Sequence, residues 1–187
     1  MKKVVYLNQL QKADCTIYHF FAKREVVSVI EELDLNDMKL VLEVLLLQQT
    51  AYRIEAELIG LEEVPPLLDS PQTLKDSGET FFVYRSGERI AGAASCMQTA
   101  KELLICRMMV HPECFRQGIA DALLTHMERL AVPGMKLKVT TGTRNLPAMQ
   151  LYAKHGFEPE QQLLLAPGVT LTVLAKYSGS SPSYDTR

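Results

Sequence analysis

The sequence predicts one domain of mixed α/β class, and three observations carry that reading. Residues 103–131, LLICRMMVHPECFRQGIADALLTHMERLA, run as an apolar strand, a sharp polar loop and an amphipathic helix. Residues 136–157, KLKVTTGTRNLPAMQLYAKHGF, repeat that order. Before and after these units, 80–96 and 161–177 read as hairpins turned at Ser86-Gly87 and Pro167-Gly168. With 187 residues, 47% of them hydrophobic, the chain can bury one good core.

Taken in order, residues 1–24 place two lysines before a short apolar run, too little for a signal peptide. They are expected to form an extra strand or arm packed on the domain or on a second copy of it. A long helix is expected within 33–60, with Met38, Leu42, Leu45, Leu46, Ala51 and Ile54 among its apolar positions and Asp34 or Asn36 as its cap. Residues 61–79 hold a Pro-ended loop and a short helix. Leu103–Val110 is apolar at nearly every position apart from Arg107, which suits a strand covered on both faces, and Pro112 ends it by removing a donor. Ile119, Ala122, Leu123, His126, Met127 and Leu130 then recur at helical spacing, so a helix begins near Gln117–Ile119. In the second unit Asn145 is a plausible N-cap, Pro147 is tolerated in the first turn and Gly156 supplies a left-handed stop. The tail 178–187, SGSSPSYDTR, is polar, lacks a hydrophobic face and is expected to be disordered.

Chemistry concentrates at the two helix starts. The first turn of a helix leaves backbone N–H groups unpaired at the positive end of its dipole, and Gly118 lets a ligand approach that backbone without meeting a Cβ. A pyrophosphate fits such a site.

The pair VHPECFRQGIADALL and NLPAMQLYAKHGF resembles the two signature blocks of the GNAT superfamily of N-acetyltransferases. In that family a pyrophosphate loop, R/Q-x-x-G-x-G/A, precedes N-x-x-A-x-x-x-Y-x-x-x-G-F. Asn145, Ala148, Tyr152, Gly156 and Phe157 all match the second block. In the first, Gly118 and Ala120 take the small positions, but Phe115 stands where Arg or Gln is expected, with Arg116 beside it. That departure implies weaker cofactor affinity. The resemblance implies a mostly antiparallel sheet of about seven strands with a splayed central parallel pair and helices on both faces. It places the domain at 25–177, with a first strand near Glu25–Glu32.

It also implies direct attack of a primary amine, on a small molecule or a peptide, on the thioester of acetyl-CoA. Arg116, Gln117, Gly118, Ile119, Ala120 and Asp121 would bind the pyrophosphate. Backbone N–H groups around Met109 and Val110 would meet the developing oxyanion, and Met108, Met109 and Val110 would pair with the pantetheine arm; Met108 and Met109 also suit core packing. Asn145 would cap its helix and touch the cofactor. Tyr152 would act as general acid toward the departing thiolate, since a phenol is a neutral donor at pH 7. Glu102, His111, Glu55 and Glu57 are all candidates for the general base, and none is preferred. Glu55, Glu57, Glu62, Glu63 and Asp69 concentrate negative charge on the acceptor side, suited to a cationic amine or simply to a solvated face. Two alternatives stay open: a non-catalytic acetyl-CoA-binding module, and a structural protein that has lost the cofactor, in which Phe115 would fill the phosphate site.

The remaining composition narrows the field. A net charge of -2 gives no reason to invoke nucleic acid, and no stretch is apolar enough to span a membrane. Cys15, Cys96, Cys106 and Cys114 show no metal-ligand spacing, so neither a metal site nor a disulfide framework is expected. A reducing cytoplasm is the default, with the protein a monomer or homodimer.

Overall fold

The computed structural model describes residues 28–179. The expected N-terminal arm at 1–24 and all of the expected disordered tail except Ser178 and Gly179 lie outside the described residues.

The chain forms β1 (Ser28–Glu32), α1 (Met38–Ile59), α2 (Pro71–Asp76), β2 (Thr80–Ser86), β3 (Arg89–Gln98) and β4 (Glu102–Val110). It continues through α3 (Ile119–Leu130), β5 (Lys136–Gly142), α4 (Leu146–Lys154), β6 (Glu158–Ala166) and β7 (Val169–Tyr177). The strands make one seven-stranded sheet in the order β1-β2-β3-β4-β5-β7-β6. Every neighbouring pair is antiparallel except β4 and β5. This is the mixed sheet the resemblance implies.

Helices cover both faces. On one, Val41, Val44 and Tyr52 of α1 pack with Leu74, Phe81, Val83 and Met109. On the other, Ile119, Leu123, Leu124 and Met127 of α3 and Tyr152 of α4 pack with Leu103, Ile105 and Leu137. Gly142 allows the end of α1 to settle on β5, because a Cβ there would stand 2.2 Å from Cγ2 of Ile59.

A bulge in β4 shapes the centre of the sheet. Ser95 faces Arg107 and Cys96 faces Ile105, leaving Cys106 as the extra residue. Side chains alternate along a strand, so one inserted residue exchanges the faces beyond it. Leu103 and Ile105 therefore join the α3 core, whereas Met109 joins the α1 core. The same step carries Arg107 to the α1 side. The bulge also bends β4, and pairing with β5 is confined to Glu102–Ile105 against Lys136–Val139. Beyond it the two strands part.

Three local expectations are corrected. Asp37, not Asp34 or Asn36, caps α1, accepting from the backbone N–H of Lys39 at 3.0 Å and Leu40 at 3.3 Å. Asp34 is occupied one turn earlier, accepting from the Asn36 N–H at 2.9 Å. Of the apolar positions expected on α1, Leu45 is buried but Met38, Leu42 and Leu46 are exposed, since the helix packs through Val41, Val44, Gln48 and Tyr52. Leu104 is also exposed, so β4 is not covered on both faces at its start.

Candidate active site

The parting of β4 and β5 opens a cleft of about 840 Å³. One wall comes from the end of β4, the loop after it and the start of α3. The opposite wall comes from the end of β5 and α4. The second half of α1 and the Val64–Pro66 segment close the remaining side.

Backbone geometry at the first wall is set by two left-handed residues. Gly118, the N-cap of α3, has φ +80°, and Arg116 has φ +63°. This winding brings Gly118, Ile119, Ala120 and Asp121 to the cleft. A Cβ at Gly118 would meet nothing within 4 Å, so the space beside this backbone is open. The N–H groups of the first helical turn have no partner within the helix and lie at the positive end of its dipole. Arg116 also lines the cleft. Gln117 does not, and its amide instead donates to the Glu113 carbonyl at 3.1 Å. Phe115 lines the wall at 46% exposure and does not fill the space.

The end of β4 offers amides to the gap. The His111 N–H donates to the Ala91 carbonyl at 2.9 Å. Backbone groups alternate sides along an antiparallel ladder, so the Met109 amide shares that side while those of Met108 and Val110 face the gap left by β5. Met108 and Val110 line the cleft; Met109 is buried among α1 residues.

At the opposite wall Asn145 caps α4, its Oδ1 accepting from the Ala148 N–H at 3.2 Å. The cap places Tyr152 two turns further on, with its ring edge-on to Phe157 at 5.7 Å. Tyr152 is only 3% exposed, yet it lines the cleft and its hydroxyl has no hydrogen-bond partner among the described residues. Burial first, then the Glu55 charge, push this phenol above its ordinary range. Tyr52, across the cleft floor, is raised for the same two reasons.

Of the four candidate bases, Glu55 alone lines the cleft. Its Oε1 accepts from Asn145 Nδ2 at 3.2 Å and from Thr141 Oγ1 at 3.4 Å. Glu57 is exposed, Glu102 lies at the far end of β4 beside Lys138 at 3.9 Å, and His111 accepts from the Glu113 N–H at 3.3 Å.

Sequence reasoning missed a buried polar cluster behind the cleft. Arg107 donates through Nε and Nη2 to the two carboxylate oxygens of Glu79 at 2.9 and 3.1 Å, and through Nη1 to Gln48 at 2.9 Å and to Asp69. Gln48 donates in turn to the Pro66 carbonyl at 2.6 Å and to Asp69 at 2.8 Å. Burial opposes the Asp69 charge, but hydrogen bonds from Arg107 and Thr73 outweigh it and hold the carboxyl below its ordinary range. A lone charge in an otherwise apolar strand was the signal for this cluster. Cys106, at the bulge, also lines the cleft, and burial and then Glu79 push its thiol up to about 11. It is therefore protonated at neutral pH.

Comparison with known proteins agrees with this geometry. A family model described as an acetyltransferase (GNAT) domain matches residues 77–159. The curated UPF0157 protein YqkA of Bacillus subtilis (strain 168) is 34% identical over 149 residues, which are 80% of this chain and 43% of that protein. The chain thus spans less than half the length of that relative. Among solved structures, the ribosomal-protein-S18-alanine N-acetyltransferase of Escherichia coli superposes with a TM-score of 0.64 at 18% identity, covering 86% of this chain and all (100%) of that one. The PaiA N-acetyltransferase of Thermoplasma acidophilum, solved in complex with coenzyme A, gives 0.60 at 14% identity over 81% of this chain and 99% of that one. The sheet order and the splayed parallel pair agree with these matches: residues 77–159 match the acetyltransferase (GNAT) domain, and the described residues have the fold of the GNAT acetyltransferases.

Proposed function

We propose that the protein transfers the acetyl group of acetyl-CoA to a primary amine, with both substrates held together in the cleft. The observation that carries the reading is the juxtaposition, across one cleft, of the open α3 N-terminus and the buried but cleft-lining phenol of Tyr152.

The pyrophosphate lies on the first turn of α3, taken by the backbone of Gly118–Asp121 with Arg116 beside it. The fit rests on unpaired amides and on the open space at the Gly118 Cα, and most of the grip comes from backbone groups, so Phe115 weakens it without abolishing it. Asn145 borders the same ligand. The Met108 and Val110 amides pair with the pantetheine arm and meet charge developing on the acetyl oxygen. Met109, with its amide on β3 and its side chain in the core, supports this strand without touching the ligand. Tyr152 donates to the departing sulfur. Its raised pKa keeps the phenol protonated at neutral pH, as a donor requires.

The coenzyme A complex of the Thermoplasma neighbour supports the choice of cofactor. A protein that had lost the cofactor would hold Phe115 in the phosphate position, and here that side chain stands half-exposed at the wall. The test is amine-dependent release of free thiol from acetyl-CoA. Tyr152→Phe is expected to bind acetyl-CoA as the wild type does and to lower turnover about 100-fold. Equal turnover would remove Tyr152 from the mechanism.

A further inference from the structure

Five acidic side chains crowd the second half of α1 and the segment after it, yet the fold turns one of them into the cleft. Glu57, Glu62 and Glu63 are exposed. Asp69 is engaged by Arg107, Gln48 and Thr73. Glu55 remains. Thr141 of β5 and Asn145 at the head of α4 both hold its Oε1, and no hydrogen bond reaches Oε2 from the described residues. A carboxylate with one oxygen fixed and the other open to a cleft is a directed seat for an ammonium.

The surroundings say what carries that ammonium. Beside Glu55 the cleft is lined by Ala51, Ile54, Leu58, Val64, Pro65 and Pro66. None of these six side chains carries a group for a second cation, and Asp121, the other carboxylate lining the cleft, is engaged by Lys154 and His155. The nearby guanidinium of Arg107 is matched by Glu79 and Asp69 and is not available as an anion site.

We infer, resting on the acetyl-transfer reading above, that Glu55 seats and deprotonates the acceptor's ammonium, and that the acceptor is a primary amine on an apolar body, not a polycation. The ammonium gives one proton to Glu55 Oε2, and the freed nitrogen lone pair forms the C–N bond at the acetyl carbonyl. The C–S bond breaks with its electron pair on sulfur. The second proton of the nitrogen reaches sulfur through the Tyr152 phenol, whose own protonation is unchanged at the end. Glu55 then releases its proton to water, so the products are an amide, a free thiol and one proton. Glu55 lies close enough to the Tyr52 and Tyr152 phenols for its charge to act on both, which places the seat beside the reacting groups.

The experiment compares wild type and Glu55→Gln, each titrated with acetyl-CoA and each assayed for thiol release with phenethylamine, octylamine, spermidine and kanamycin. Wild type is expected to favour the first two by about tenfold or more in kcat/KM. Glu55→Gln is expected to bind acetyl-CoA normally and to lose about 100-fold in kcat. Unchanged kcat in the variant, preference for the polycations, or binding of acetyl-CoA with no acetylation of any of the four amines would overturn the inference and leave the cofactor site standing. Absence of acetyl-CoA binding in wild type would instead remove the reading on which it rests. If Glu55→Gln does not fold, the wild-type amine preference still decides the acceptor's class.

Discussion

Arg116 shows how a single backbone angle reports on the site. A side chain in the left-handed region costs about 1–2 kcal/mol, and the structure holds Arg116 there at φ +63°. Arg116→Gly relieves that cost and gives back about 0.5–1 kcal/mol in backbone entropy. The net expectation is a folded state up to about 1 kcal/mol more stable, read by urea denaturation, with acetyl-CoA bound more weakly for want of the guanidinium. A variant that is less stable would show that Arg116 makes contacts that outweigh its strain. Gly118→Ala should do the opposite to stability and the same to affinity. Its methyl enters the cleft and its φ of +80° penalises any side chain, so stability falls by about 1–2 kcal/mol and acetyl-CoA affinity falls with it. At this scale the sequence was most legible where a residue type carries its own geometry. Asn145 as a cap and Gly156 as a stop follow from local chemistry, and Tyr152 from its place in a motif. Glu55 stayed one of four candidates because only tertiary contact with Thr141 and Asn145 singles it out.

The element scale turns on how α1, α4 and the two central strands meet. Gly142→Ala would drive a Cβ to within 2.2 Å of Ile59 Cγ2, forcing the end of α1 away from β5. Overpacking of this kind costs about 1–3 kcal/mol, and because Ile59 and Gly142 both line the cleft, the acceptor side should widen as well. Chemical denaturation measures the first effect and amine KM the second; a variant unchanged in both would show that the helix end yields freely. The hairpins, the central strand and the α3 and α4 starts were legible in the sequence through periodicity and capping, and the mixed sheet with its central parallel pair through the family resemblance. The Cys106 bulge was not, because it exists only in register with β3: Ser95 opposite Arg107, Cys96 opposite Ile105. That one residue decides which core receives Met109 and where β4 leaves β5. The exposed stripe of Met38, Leu42 and Leu46 was likewise hidden, since α1 is apolar on more than one face and periodicity alone does not say which one packs.

Across the whole molecule, two apolar cores cover opposite faces of the sheet, and on the α1 side the largely buried Arg107 cluster links several elements. It ties α1 through Gln48, the segment before α2 through Asp69, the start of β2 through Glu79 and the centre of the sheet through Arg107 itself. Removing one member of a buried ionic group strands the others, at a cost of about 3–5 kcal/mol. Arg107→Met is therefore expected to lower the urea midpoint sharply, and a small change would mean that water reaches Glu79 and Asp69. On the other face His126 packs against Phe82 at 4.7 Å with Nε2 buried and unpartnered. Burial and then Arg129 hold its pKa below the ordinary imidazole range, so the unfolded chain takes up this proton first. Its contribution is intact above about pH 6.5 and is lost as pH falls below that value. The difference in stability between wild type and His126→Leu should change over that window and stay constant above it.

The central claim is that the first turn of α3 binds the phosphates of acetyl-CoA. Calorimetric titration of the protein with acetyl-CoA, run beside CoA lacking its 3′-phosphate, tests it most directly. The account predicts one-site binding in the micromolar range, on the order of -8 kcal/mol, that is weakened in Gly118→Ala. No heat with either ligand, or binding that Gly118→Ala leaves unchanged, would contradict it.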